Sequence, residues 1–273
     1  MIPADNEAWA ALTRKISREA GLSLDAYKDK CLRRRIAVRM RACGVHTFAD
    51  YQSVLDGTPG EYERLKDAIT INVTRFYRNA ETWNLLRGGL LHEICDSDGR
   101  EVRAWSAGCA SGEEPYTLAL LMADLFDREG RPGRLDRVTV DATDIDRQSL
   151  KRAEEGSFRR EALVEVPQDL VDRYFEADSS GCQVIERVRR RVVFRALDLS
   201  REAPLRRNYQ LILCRNVVIY FGRTTQERVF LSFADSLAPG GILVLGKVET
   251  LCGPARERFT LLDPRERVYR RTA

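Results

Sequence analysis

Two adjacent carboxylates, Glu113 and Glu114, follow the run Ala107-Gly108-Cys109-Ala110-Ser111-Gly112 and open an apolar-periodic segment, Tyr116 to Phe126. Ahead of the run, Val102 to Ala107 reads as a buried strand. A strand, a small-residue turn and a helix start form the entry to a doubly wound α/β sheet, whose ligands sit beyond the carboxyl ends of the strands. Small residues let the backbone approach a ligand closely, and glycine tolerates the tight turn. The run departs from the dinucleotide fingerprint Gly-x-Gly-x-x-Gly, and carboxylates at a helix start repel phosphate. They suit hydroxyls or a cation, so a nucleoside carrying positive charge is the favoured ligand. The alternative is a purely structural strand-to-helix turn.

Other candidates fall at the ends of later strands. Val138 to Thr143 reads as a second strand with Asp144 at its carboxyl end, where an acidic side chain accepts hydrogen bonds from ribose hydroxyls. The alternative for such an Asp is a helix cap, a job that Asp146 before Gln148 and Leu150 fits better. Val192 to Leu197 predicts a strand ending at Asp198-Leu199, and Tyr209 to Cys214 one ending at Arg215-Asn216. The chain has two histidines, His46 and His92, and neither lies in these stretches, which argues against a histidine acid/base or triad mechanism. Seven cysteines without Cys-x-x-Cys spacing predict free thiols in a reducing cytoplasm and no metal site.

The elements that must position these residues make up a chain of 273 residues, 32% charged and 44% hydrophobic. That is a soluble balance, long enough for one ordinary domain and a smaller one. A formal charge of +4 means that an acidic partner must be met by a local patch. No run has signal-peptide or bilayer-spanning character. The first 70 residues read as helices: Asn6 to Ala20 ended by Gly21, Ala26 to Cys43 capped by Asp25, Thr47-capped residues through Leu55, and Glu61 to about Ile71. On the second helix Leu32, Ile36, Met40 and Cys43 share one face, while Lys30, Arg34 and Arg41 share the opposite one. Arg33, Arg35 and Arg39 flank the seam. With little counter-charge after Asp29, this face reads as a docking surface for nucleic acid or an acidic protein helix, against the alternative of a solvated surface helix.

Four motifs occur in order: Asn72-x-Thr74-x-Phe76-x-Arg78; Ala107-x-x-Ala110-Ser111-Gly112-Glu113-Glu114-Pro115-Tyr116; Ala142-Thr143-Asp144-Ile145-Asp146; and Cys214-Arg215-Asn216-Val217-x-Ile219-Tyr220-Phe221. The set closely resembles the CheR-type chemotaxis receptor methyltransferases, from the amino-terminal helices to near the carboxyl terminus. The resemblance implies transfer of a methyl group from S-adenosylmethionine to receptor glutamates. It implies a Rossmann-like class I methyltransferase sheet, doubly wound, with an N-terminal all-α domain and a small antiparallel β insertion. The expected division is a helical domain over 1–72, a linker over 73–90 and the methyltransferase domain over 91–273, with the insertion at about 175–195.

By the same resemblance Asn72, Thr74, Arg78, Gly108, Glu113, Asp144, Asp198, Leu199, Arg215 and Asn216 line the donor pocket. Arg78 supplies a fixed fork for the donor's amino-acid carboxylate. Asp198 accepts from the adenine amino group, at a position where family members often have Asn. Tyr220 and Arg215 border the methyl-transfer point and orient the incoming carboxylate. Lys30, Arg33, Arg34 and Arg41 dock the acidic methylation helices of the chemoreceptor cytoplasmic domain. The implied enzyme is a cytoplasmic monomer that binds neither nucleic acid nor membrane and holds no metal. A glutamate nucleophile, with an unperturbed pKa of about 4.3, is already an anion at neutral pH and needs no general base, in accord with the missing histidines. The rivals are an RNA or small-molecule methyltransferase and a non-catalytic nucleoside sensor.

In some relatives the β insertion captures a carboxyl-terminal receptor peptide by strand addition. Here Gly156 to Phe175 reads as helical and irregular, Asp178-Ser179-Ser180-Gly181 as a turn, and Cys182 to Val188 and Arg191 to Leu197 as strands. The segment looks short and lacks an extended glycine-rich loop, so tethered-peptide binding is not expected. The run Arg187, Arg189, Arg190 and Arg191 reads as a solvated strand edge. A helix from Gln226 to Leu237 precedes the Pro239-Gly240-Gly241 turn and a strand from Ile242 to Gly246, and Phe259 to Leu262 pairs with Arg267 to Arg270. Lys247-Val248-Glu249 stands where relatives commonly show a Ser-Glu pair, which touches substrate preference.

Overall fold

The computed structural model describes residues 5–70, 72–96, 101–177 and 181–272. It divides into two compact units, Met1–Asn72 with Tyr220–Gln226, and Val73–Ile219 with Glu227–Ala273.

Among the described residues the first unit is built on α1 (Asn6–Ala20), α2 (Asp29–Ala42), α3 (Phe48–Gly57) and α4 (Glu61–Ile69). Asp5 caps α1 by accepting from the Glu7 and Ala8 amides, and Trp9, Leu12 and Ile16 form its buried stripe. Thr47 caps α3 by accepting from the Asp50 amide. The second helix starts later than its periodicity predicts. Leu24–Ala26 is a single 3₁₀ turn, and Tyr27 is extended because it forms a β-bridge with Phe221. The tertiary partner there overrides local helix preference.

One carboxylate ties three of these helices together. Glu61, 1% exposed, accepts from Arg39 of α2 at 3.0 and 2.8 Å, from the Tyr51 hydroxyl of α3 at 2.9 Å and from Arg64 of its own helix at 3.1 Å. The segment Tyr220–Gly222 is also fastened in this unit. The Lys28 amide donates to the Tyr220 carbonyl at 2.9 Å and the Gly222 amide to the Ala26 carbonyl at 2.8 Å.

The second unit opens with α5 (Ala80–Leu85) and α6 (Leu91–Cys95), joined by a π-type turn. Then follow β1 (Val102–Ala107), α7 (Glu113–Arg128), β2 (Val138–Asp144), α8 (Arg147–Glu155), β3 (Ser157–Phe158), α9 (Gln168–Tyr174), β4 (Phe175–Ala177), β5 (Cys182–Val184), α10 (Glu186–Arg189), β6 (Val192–Ala196) and β7 (Tyr209–Cys214). The chain ends with α11 (Arg223–Ser236), β8 (Leu237–Leu245), β9 (Phe259–Asp263) and β10 (Val268–Arg271).

Seven strands form one sheet in the order β6-β2-β1-β7-β8-β10-β9. The first five run parallel and the last two pair antiparallel. From β1 the chain winds outward through β2 to β6, then crosses to β7 and β8 on the other side. The switch point therefore lies between β1 and β7, where a doubly wound sheet opens its ligand crevice. The strands are apolar on both faces because helices cover both, and Trp105 in β1 stacks on Tyr209 at 5.5 Å.

The small antiparallel sheet has the order β3-β5-β4 and occupies 157–184, upstream of the expected 175–195. Residues Val192–Ala196 instead pair with β2 as an edge strand of the main sheet. The strand expected through Val188 stops at Val184, and of the arginine run Arg187 and Arg189 lie on α10, with Arg190 at its C-cap. Arg187 pairs with Asp127 at 2.5 Å and Arg190 with Glu186 at the start of α10, so neither of these two cations lies on a strand edge. Of the expected turn Asp178-Ser179-Ser180-Gly181, only Gly181 lies within the described residues. Strand β8 begins at Leu237, running through the Pro239-Gly240-Gly241 segment with a register shift against β7.

Candidate functional site

Gly108 takes φ +83 at the end of β1, and a Cβ there would lie 2.3 Å from the Val217 side chain, so only glycine fits. The Gly108 and Cys109 amides donate to the Thr143 carbonyl at 2.7 and 3.0 Å, and the Ala110 amide donates to Asp144 Oδ2 at 2.8 Å. The small-residue turn is thereby laced to the end of β2. Asp144 also accepts from the Asp146 amide at 2.9 Å, and the Leu197 amide donates to the Asp144 carbonyl at 3.0 Å, bringing the β6 end alongside. Asp146 caps α8 by accepting from the Gln148 amide.

Glu113 is 7% exposed, and the Ser111 hydroxyl lies 3.0 and 2.8 Å from its two oxygens. Burial pushes the carboxyls of both Glu113 and Asp144 above their ordinary range, opposed by the Ser111 hydroxyl for the first and by backbone amides for the second. Two desolvated carboxylates with acceptor capacity, neighbouring a turn without bulky side chains, suit a ligand bearing hydroxyls.

At the end of β7, Asn216 adopts φ +62, and its Oδ1 is buried without a protein partner. An orphaned acceptor in such a place calls for a ligand donor. The turn is held from behind by Glu249, 2% exposed, a residue whose role the sequence reading missed. Its carboxylate accepts from the amides of Gly246 at 2.6 Å, Asn216 and Val217 at 2.9 Å and Ile219 at 3.3 Å. Burial pushes this carboxyl up, and the four amides pull it back.

The Arg78 guanidinium is half-buried and donates to the Val73 carbonyl at 2.8 Å. Its backbone carbonyl accepts from the Trp83 indole at 3.1 Å and from Arg215 Nη2 at 2.6 Å. Arg215, 6% exposed, also approaches Glu114 at 3.3 Å and Asn79 at 3.1 Å. Arg215, expected in the donor pocket and at the methyl-transfer point, turns its guanidinium toward these protein partners. Four non-glycine residues with positive φ, Tyr77, Asn79, Ala110 and Asn216, fall on these turns, as strained backbone does at functional sites.

The remaining expected residues are more loosely placed. Thr74 and Leu199 are half-buried. Asp198 Oδ1 accepts from the Ser200 amide at 2.8 Å and the Ser200 hydroxyl at 2.6 Å, forming a local Asx turn at the β6 end. Asn72 and Tyr220 belong to the helical unit, where the Arg35 guanidinium lies 4.2 Å from the Tyr220 ring centroid.

On α2, Lys30, Arg34 and Arg41 are exposed along one face together with Val38. Arg33 does not join them: it pairs with Asp29 at 2.7 Å, reaches Asn6 at 3.1 Å and stacks on Trp9 at 4.4 Å. Of the four expected docking residues, Arg33 is the half-buried one and spends its guanidinium on these contacts. Beside the small sheet a groove of about 620 Å³ is lined by Leu163, Val166, Val171, Phe175 and Cys182. No helix among the described residues is long and apolar enough to cross a membrane.

Residues 72–268 match the family model for the CheR methyltransferase SAM-binding domain, and 7–70 match the CheR methyltransferase all-alpha domain. The chemotaxis protein methyltransferase of Klebsiella aerogenes is 33% identical over 94% of this chain and 88% of its own length. Those of Listeria monocytogenes and Escherichia coli are 31% and 32% identical, over 93% and 92% of this chain and 94% and 86% of theirs. The site fits the cofactor these matches imply. Gly108 leaves room for close approach, Glu113 and Asp144 offer buried acceptors, and Asn216 presents an unpaired one. The chain therefore belongs to the CheR methyltransferase family and is an S-adenosylmethionine-dependent methyltransferase of chemotaxis.

Proposed function

We propose that this protein methylates glutamate side chains on the acidic helices of a chemoreceptor's cytoplasmic domain, forming glutamate methyl esters, and that it acts as a monomer in the cytoplasm. S-adenosylmethionine, when bound, supplies a methyl group already activated by its sulfonium. The chain's residues then bind, orient and exclude water. Glu113 and Asp144 take hydroxyls, Asn216 with Asp198 and Leu199 takes the adenine, and Arg78, with Asn72 and Thr74 nearby in sequence, takes the amino-acid carboxylate. Tyr220 orients the incoming glutamate. No side chain is needed as a general base, since that glutamate is ionised at neutral pH. Alignment and desolvation are the effects that carry the rate.

The observation that carries the reading is the set of buried acceptors at the strand ends, the Glu113 and Asp144 carboxylates and the unpartnered Asn216 Oδ1. On α2, Lys30, Arg34 and Arg41 are presented without an ion-pair partner among the described residues, which suits an acidic helix. The test is transfer of radiolabelled methyl to a panel of receptor cytoplasmic fragments, followed by mild base. Label released as methanol identifies a carboxyl ester. Base-stable label, or none on any receptor fragment, rejects the proposal, and label on RNA with steeply salt-dependent binding replaces it.

A further inference from the structure

We infer that Arg215, with Glu114 as its counter-ion, is a positioning residue for Arg78, and that through Arg78 it sets the preference for ligands bearing an amino-acid tail. The inference rests on the reading of Arg78 as the partner of the donor's carboxylate.

Arg78 sits between two residues in left-handed backbone conformation, Tyr77 at φ 56 and Asn79 at φ 62. Neither is glycine, so the segment holds this shape only because its surroundings impose it. Three side chains supply the constraint. The Thr117 hydroxyl accepts from the Tyr77 amide at 3.3 Å, the Trp83 indole donates to the Arg78 carbonyl at 3.1 Å, and Arg215 donates both to that carbonyl at 2.6 Å and to the Asn79 side chain at 3.1 Å.

Arg215 is in turn fixed from its other side. Its guanidinium lies 5.3 Å from the Trp83 ring centroid, and its Nη1 is 3.3 Å from Glu114, whose second oxygen accepts from the Ser106 hydroxyl of β1 at 2.9 Å. A rigid path thus runs from β1 through Glu114 and Arg215 to the main chain of Arg78. The Arg215 side chain is 2% exposed, so it acts on a ligand only through what it holds. A planar, always-charged fork serves three acceptors at once, which a lysine ammonium on a flexible stem does not reproduce.

The orientations of the two arginines agree with this division of labour. Among the described residues the Arg78 side chain makes one hydrogen bond, to the Val73 carbonyl, leaving most of its donors for a ligand, while the Arg215 donors face inward. An arginine that must meet a carboxylate bidentately depends on where its Cα is pinned.

The experiment compares S-adenosylhomocysteine, which carries the tail, with 5′-methylthioadenosine, which lacks it, by calorimetry. Arg215→Met is made together with Glu114→Gln, so that no buried carboxylate is stranded, and Trp83→Phe serves as a milder variant that removes one donor to the Arg78 carbonyl. Arg78→Ala is the control. The expected result is a loss of about tenfold or more for S-adenosylhomocysteine with methylthioadenosine changed less than about twofold, and a smaller selective loss in Trp83→Phe. Equal loss for both ligands, or none for either, overturns the positioning role. If Arg78→Ala itself leaves the preference between the two ligands intact, the reading of Arg78 is what fails.

Discussion

The guanidinium of Arg35 lies 4.2 Å from the ring centroid of Tyr220, 185 positions further along the chain, and both belong to the helical unit. Arg35 is 5% exposed, donates to the Ile69 carbonyl through Nη1, and leaves Nε and Nη2 buried without partners. Unpaired donors on a buried cation cost stability, so the stack fixes the phenol at some expense.

That arrangement separates the ring of Tyr220 from its hydroxyl. Tyr220→Phe keeps the stack and should leave the melting temperature unchanged within about 2 °C, since the ring makes the contact with Arg35. Turnover should fall by about ten- to a hundredfold, the equivalent of one hydrogen bond to a charged group. Steady-state assays on a receptor fragment decide it, and unchanged turnover and substrate affinity remove Tyr220 from the reaction.

Glu61 predicts an acid-sensitive helical unit. Burial alone raises its carboxyl, but hydrogen bonds from Arg39, Arg64 and Tyr51 outweigh this and hold it at about 2. A depressed folded-state pKa contributes stability that is present above the ordinary carboxylate value of about 4.3 and is lost as pH falls toward 2. Glu61→Gln should cost about 3 kcal/mol at neutral pH, as removal of one partner from a buried ion pair does. The loss should shrink progressively below pH 4. Urea denaturation from pH 7 to 3, followed by helical circular dichroism, measures both effects, and a pH-independent difference contradicts the assignment.

Glu113 and Asp144 titrate in the opposite sense. Burial raises both, so in the free protein their contribution to stability is fully present below the ordinary carboxylate value and is lost as pH rises through their raised values. Ligand hydroxyls donate to the ionised forms, so S-adenosylhomocysteine affinity should fall on acidification. The fall should begin at a higher pH than an exposed carboxylate, near 4, would give. Calorimetry across pH 8 to 5 tests this, and Asp144→Ala should weaken binding by about tenfold or more even at pH 8.

Reversing charge on the exposed face of α2 separates docking from donor binding. Arg34→Glu with Arg41→Glu should weaken a receptor fragment by about tenfold or more at low salt, with the difference shrinking as salt rises. S-adenosylhomocysteine affinity should not change. Arg33→Glu should lower stability instead, because Arg33 is spent on Asp29 and Trp9. If the receptor fragment binds the reversed face as well as before, α2 is not its docking surface.

Local pattern alone determined much of this protein. The spacing of Trp9, Leu12 and Ile16 and the Gly21 stop define α1, and the apolar runs at Val102 and Tyr209 define β1 and β7. The turn from Gly108 to Gly112 and the place of Asp144 after β2 are legible for the same reason: each depends on neighbours a few residues away. Tertiary structure decided what each arginine does. Arg33, Arg35 and Arg39 differ from Lys30, Arg34 and Arg41 by what happens to lie opposite them, Asp29 with Trp9, Tyr220 and Glu61. Arg215 stands in a motif beside a strand end, which reads as catalytic, yet its rotamer carries the charge inward to Glu114 and the Arg78 carbonyl. A one-dimensional pattern records which side chains are charged; which groups desolvate and pair with them is set by residues far away in the chain.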